Sequence, residues 1–254
     1  MQNKEDLIKL IDFVYELTTI EEYSWVRDSL NNKLNNTTNE IFVSKQIDEI
    51  HEHFFRKIVE FQANNFYQDF KLSEIKKTLI KDYARMEKFR RENNFEEFCF
   101  AVFQQMEAIV NHLANGTIKN MFFEDCNRVT HKAKNEDKTL GQLVFYASIN
   151  HSELEKKRNL EIKDWAFMER FKLVLYYYFY NEPEKIHYYS FMSNYNLMYG
   201  LYQMRNLNHR GGLIENKKKE IIEDVKKNSH RYYFKYLGFL EEFVTKINEA
   251  IMLI

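Results

Sequence analysis

The stretch Asn94-Phe95-Glu96-Glu97-Phe98-Cys99-Phe100-Ala101-Val102-Phe103-Gln104-Gln105-Met106-Glu107-Ala108-Ile109-Val110-Asn111-His112-Leu113 reads as one amphipathic helix. Asn94 and Glu97 have the spacing at which a side-chain oxygen satisfies a free backbone N–H of the first turn. Phe98, Val102, Gln105-Met106, Ile109, Val110 and Leu113 then recur at three- and four-residue intervals, the period of a helix with one face in a core. Asn115-Gly116 follows, and the glycine is expected to end the helix as a left-handed C-cap.

Working outward, Thr37-x-x-Glu40 is a capping box ahead of Ile41, Ile47, Ile50, Phe54, Ile58 and Phe61, again at helical period. Thr139-x-x-Gln142 caps a short helix through Tyr146 to Ile149, and Asp164 to Tyr180 is the most apolar helix of the chain. His151 to Lys163, with Lys156-Lys157-Arg158, reads as a solvated loop. Asn181-Glu182-Pro183 stops one helix and opens the next, with proline at the first helical position. That helix extends to about Arg210 and stops at Gly211-Gly212. Glu215 opens a final helix with a break near Asn228-Ser229.

Six glycines and one proline in 254 residues cannot supply the tight turns of a strand-rich fold or a doubly wound sheet. No Gly-rich phosphate loop is present. The expectation is an all-α chain: a helical bundle over residues 76–254, preceded by an N-terminal helical part over residues 1–75, with the boundary in the more polar stretch containing Arg85, Lys88, Arg90 and Arg91. The 22 Phe, 17 Tyr and 2 Trp argue against disorder. Cys99 and Cys126 are too few for a disulfide framework and fit a reducing compartment. Cys99, among apolar residues, reads as core and not as a nucleophile. The first residues lack a basic-then-apolar signal pattern. The longest apolar run, Leu173 to Tyr180, is too short to span a bilayer. A soluble, cytoplasmic protein is expected.

The near-zero net charge conceals an asymmetry. Residues 1–60 carry 7 Lys/Arg against 12 Asp/Glu, and residues 205–235 carry 9 against 4. A charge run is ordinarily a solvated helix face, but the basic one contains Arg205-Asn206-Leu207-Asn208-His209-Arg210-Gly211-Gly212. Arg205 and His209 are four apart, so on a helix they face the same way. A guanidinium fork grips phosphate oxygens and an imidazole moves a proton near neutral pH. With a ribose 2′-hydroxyl as nucleophile, no metal is needed. Backbone carbonyls of the last turn favour the imidazolium form of His209, while Arg205 and Arg210 oppose it.

Arg205-Asn206 followed by His209 resembles the motif of the HEPN superfamily of helical nucleases and nucleotide-binding proteins. Its nuclease members carry Arg, a polar residue that is often Asn, and then His at the end of one helix in a four- to five-helix bundle. The helix order over about residues 80–254 is similar too. Three residues separate Arg205 from His209, against four to six usual in the family. The resemblance implies a metal-independent endoribonuclease without cofactor, acting as a homodimer whose two motifs form one composite cleft. His209 would be the general base or acid, Arg205 would hold the scissile phosphate and Asn206 would orient the site. Arg210, Lys217, Lys218 and Tyr202 are the candidate substrate-binding residues near the motif. Glu107 and Asn111, on one stripe with Gln104, are candidates from the first bundle helix; a core hydrogen-bond network or a solvent-facing stripe explains them somewhat better. Family members of this kind serve as toxins or abortive-infection effectors, which implies RNA as substrate and an antitoxin or another defence-system protein as partner.

Two other classes remain open on the residues themselves. A non-catalytic helical module could hold RNA, a nucleotide or a protein on the same basic face, with Lys217–Lys219 and Lys226-Lys227 supplying affinity. A ferritin-like metal enzyme would use Glu184-x-x-His187. Its only mate is Asp48-x-x-His51, with His53 nearby, and chance accounts for that match better than ligation does. Arg128-x-x-His131, with Lys132 and Lys134, reads as surface. Tyr176-Tyr177-Tyr178, Tyr188-Tyr189, Tyr199 and Tyr232-Tyr233 suit core packing better than base stacking.

Overall fold

Asn94 caps a helix in the computed structural model of the chain, which describes residues 13, 21, 24–34, 40–133, 136–145, 150–180, 188–207 and 216–251. Its side-chain oxygen accepts the backbone N–H of Glu97 at 3.4 Å. The described α-helices are α1 (Ser24–Leu34), α2 (Glu40–Phe66), α3 (Ser73–Arg91), α4 (Phe95–Leu113), α5 (Gly116–Asp125) and α6 (Leu140–Phe145). They continue as α7 (His151–Asn159), α8 (Phe167–Phe179), α9 (Tyr188–Leu207), α10 (Asn216–Lys227) and α11 (Ser229–Ile251). The fold is all-α, with one short hairpin in which β1 (Val129–Ala133) pairs antiparallel with β2 (Glu136–Thr139). No described helix is long and apolar enough to cross a membrane. Thr37, Pro183 and Gly211-Gly212 lie outside the described residues.

The chain forms two compact units, Met1–Lys57 and Ile58–Ile254, the division falling within α2. In the first, Phe13 meets Phe54 edge-on at 6.2 Å and Trp25 meets His53 at 5.1 Å. In the second, α4 is the central element, in contact with α3, α8, α9 and α11. Its buried face is made by Phe98, Val102, Phe103, Met106, Ile109, Val110 and Leu113. Gln105 is also fully buried. It is satisfied there: its carboxamide oxygen accepts the Tyr67 hydroxyl at 2.9 Å and its nitrogen donates to the Ala101 carbonyl at 3.1 Å.

Two adjacent asparagines make the turn into α4. Asn93 takes the left-handed conformation, with φ 59°. The N–H of Asn93 bonds to the Arg90 carbonyl and that of Asn94 to the Phe89 carbonyl, which closes α3 in a Schellman arrangement. Asn94 then caps α4, so one residue pair ends a helix and starts the next.

Two expectations are corrected. Gly116 is not a left-handed cap, since no described glycine has positive φ. Asn115 is instead an N-cap, its side chain accepting the N–H groups of Thr117 and Ile118 at 3.0 and 3.2 Å, and Gly116 is the first residue of α5. His151 to Lys163 is not a loop but contains α7. Asn150 accepts the N–H of Glu153 at 2.9 Å, Glu153 sits in the first turn, and Lys156, Lys157 and Arg158 sit in the last, each sign where the helix dipole favours it. Other readings match the structure. Thr139 and Gln142 cap α6 reciprocally, backbone to side chain, at 2.9 and 3.3 Å. The final helical stretch breaks at Asn228, between α10 and α11.

Cys99 and Cys126 are free and buried, and burial pushes both thiols upward. Lys172, on α8, is only 3% exposed. Its ammonium donates to the Val144 carbonyl at 3.0 Å and lies 4.3 Å from the centre of the Tyr195 ring. Burial pushes the Lys172 amine down to about 7, with Glu169 opposing. An unfolded lysine keeps its proton up to roughly pH 10.4. Between those pH values the unfolded chain binds the extra proton, so this residue makes stability rise with pH. Urea titrations of wild type and Lys172→Met at pH 7 and pH 9 should show the difference moving in favour of wild type at the higher pH. Parallel pH dependence of the two proteins would refute this account.

Candidate functional site

Phe191, Asn194, Tyr195, Met198, Leu201, Gln203 and Met204 form the buried face of α9. Gly200 belongs to that face for a steric reason. A Cβ there would lie 2.7 Å from the Tyr236 hydroxyl of α11, closer than real Cβ contacts come. Tyr236 is fully buried and its hydroxyl has no hydrogen-bond partner among the described residues. The missing side chain thus lets α9 seat against α11, a little over one turn before Arg205.

Arg205 occupies the last turn of α9 and is half-buried. Its Nη1 donates to the Asn206 side-chain oxygen at 3.1 Å. The guanidinium carbon lies 5.7 Å from the centre of the Phe103 ring, within cation–π range. Phe103 is itself packed edge-on to Phe167 at 5.0 Å, and Tyr202 stacks on Phe167 at 6.0 Å with 22° between the planes. The guanidinium therefore rests beside an aromatic shelf contributed by α4, α8 and α9. Among the described residues no carboxylate pairs with it. A guanidinium held from one side by a ring and an amide keeps donors of its planar fork for an incoming anion.

The other expected site residues divide. Asn206 and Tyr202 are half-buried beside Arg205, with Tyr202 committed to packing. Glu107 lies one turn beyond Phe103 on α4 and is half-buried, and Asn111 is exposed. Neither bonds to Arg205. Gln104, at the start of their stripe, accepts a hydrogen bond from Arg85, which also binds Asp82 at 2.9 Å. Burial raises the Asp82 carboxyl, with Arg85 opposing. That end of the stripe is tied to α3. Lys217 and Lys218 lie in α10, where Lys218 is half-buried. Lys226 pairs with Glu96 at 2.6 Å, whereas Lys219 and Lys227 are exposed and form no ion pair among the described residues. His209 and Arg210 lie outside the described residues, as do Glu184 and His187. Among the described residues no group of three or more His, Cys, Asp or Glu is placed to hold a metal ion.

The residue that the sequence does not single out is Phe103. It belongs to α4, Arg205 to α9, and no local pattern announces a contact between helices so distant in the chain. No family model, no curated protein and no solved structure matches the chain.

Proposed function

We propose that the chain is a metal-independent endoribonuclease of HEPN type, working in the cytoplasm as a homodimer with a composite cleft. The observation that supports this reading is the state of Arg205. It stands at a helix end, buttressed by Phe103 and Asn206, with no described carboxylate neutralising it. In the proposed reaction Arg205 holds the scissile phosphate and stabilises the charge that develops on it. His209 takes the proton of the ribose 2′-hydroxyl as that oxygen attacks phosphorus. An imidazolium, in the dimer the second copy's, gives a proton to the departing 5′-oxygen. The products are a 2′,3′-cyclic phosphate and a 5′-hydroxyl. A cognate antitoxin or another defence-system protein would restrain such an activity.

The experiment is cleavage of RNA by the purified chain in EDTA, with analysis of the product ends. Cleavage that leaves cyclic phosphates and disappears in Arg205→Ala and His209→Ala supports the reading. Cleavage only on addition of a divalent metal overturns it. Lys219 and Lys227, exposed and without an ion pair among the described residues, favour a second reading, a non-catalytic RNA-binding module. It predicts RNA binding without cleavage and a silent His209→Ala variant.

A further inference from the structure

Phe234, on α11, is 76% exposed and its ring meets no other ring among the described residues. It does not stand in an apolar surround. His230 lies four residues before it and Arg231 three before, both exposed and on the same side of the helix. Lys227, also exposed, is the last residue of α10, seven residues before Phe234. Arg231 and Lys227 form no ion pair among the described residues. Gly238, one turn after Phe234, is exposed, and a Cβ there would meet nothing within 4 Å, so one side of the ring looks onto bare helix. Beside the ring runs a groove of about 320 Å³, lined also by Arg90, Asn93, Tyr233 and Leu237.

An uncovered aromatic ring near basic side chains that have no ion pair among the described residues, and beside a groove, has a specific chemical complement: a flat ring carried on a polyanion. We infer that Phe234, with Lys227, His230 and Arg231, forms a platform for single-stranded RNA, on which one base stacks while the adjoining phosphates lie on the cations. The inference rests on the proposed function for its choice of polymer and adds a substrate contact remote in sequence from Arg205. A single exposed ring beside a concavity suits a base better than a bilayer, which rewards a broad apolar face.

The test is fluorescence anisotropy of a short, labelled, 2′-O-methylated single-stranded RNA with the full chain in EDTA. The methyl groups remove the nucleophile, so binding is read without cleavage. Phe234→Ala should weaken binding roughly tenfold, and Phe234→Trp should retain it. The Lys227→Gln, Arg231→Gln double variant should lower the slope of log affinity against log salt by about 1.4. On cleavable RNA, Phe234→Ala should raise KM and leave kcat unchanged. Wild type that does not bind the RNA, Phe234→Ala that binds it as well as wild type, or Phe234-dependent binding to anionic lipid vesicles instead overturns the platform. Metal-independent cleavage with unchanged Phe234→Ala affinity removes the platform and leaves the ribonuclease. Phe234-dependent binding by a wild type that never cleaves removes the ribonuclease and leaves the platform.

Discussion

Arg205→Ala is expected to lower RNA cleavage in EDTA by roughly 10²–10³-fold, the usual cost of removing one preorganised group aimed at transition-state charge. The loss should fall on kcat, because phosphate charge builds toward the transition state and the guanidinium answers that build-up more than it answers ground-state binding. Arg205→Lys should rescue little. An ammonium lacks the planar fork and cannot sit beside Phe103 and reach the Asn206 oxygen while keeping further fixed donors for a phosphate. The fold should survive, since the side chain is half-buried and its contact with Phe103 contributes about 0.5–1 kcal/mol. A single-turnover time course with circular dichroism on the same samples separates the two effects. Unchanged turnover in a folded Arg205→Ala protein would remove Arg205 from the chemistry.

Gly200→Ala carries the largest expected stability effect. In most helix interiors this exchange stabilises by up to about 1 kcal/mol. Here the new methyl falls 2.7 Å from the Tyr236 hydroxyl. That ring is fully buried and packed against Tyr232 at 5.2 Å, so it cannot swing aside freely. Overpacking of this kind costs about 1–3 kcal/mol and should outweigh the propensity gain. Tyr236→Phe removes the obstructing oxygen, which is buried without a partner among the described residues, and should be neutral or stabilising. With the hydroxyl gone, the nearest remaining atom is the ring carbon at 3.8 Å, an ordinary contact. In the Tyr236→Phe background Gly200→Ala should therefore change sign and stabilise. A double-mutant cycle by denaturant unfolding reads this directly. Additive single effects would mean that the hydroxyl is not the obstacle.

Two helix caps of identical form differ in how far the sequence reveals them. Asn94-x-x-Glu97 was legible because an apolar period follows it. Asn150-x-x-Glu153 carries the same signal, but α7 is polar along most of its length, and without periodicity the cap is lost among charges. Asn115-Gly116 misleads for another reason. Asparagine serves helix starts and glycine serves helix ends, and the pair does not say which role prevails; here the asparagine side chain takes it. The β1–β2 hairpin, built mostly from polar residues, shows no alternation to read. At the site, Arg205 and Asn206 were legible as chemistry. The Phe103 buttress and the Gly200–Tyr236 contact were not, because both are made between helices. Phe234 carries no signal in the sequence, because whether a single ring on a helix is covered depends on the packing of other elements.

Burial of both cysteines has a practical side for every experiment above. The chain contains only Cys99 and Cys126, and burial holds each as an unreactive thiol. In the folded state the native protein should therefore be silent toward maleimides. A cysteine placed at exposed Asn111 or at Phe234 becomes the single reactive handle, and a dye or spin label can be attached there without first stripping the core of its own sulfur.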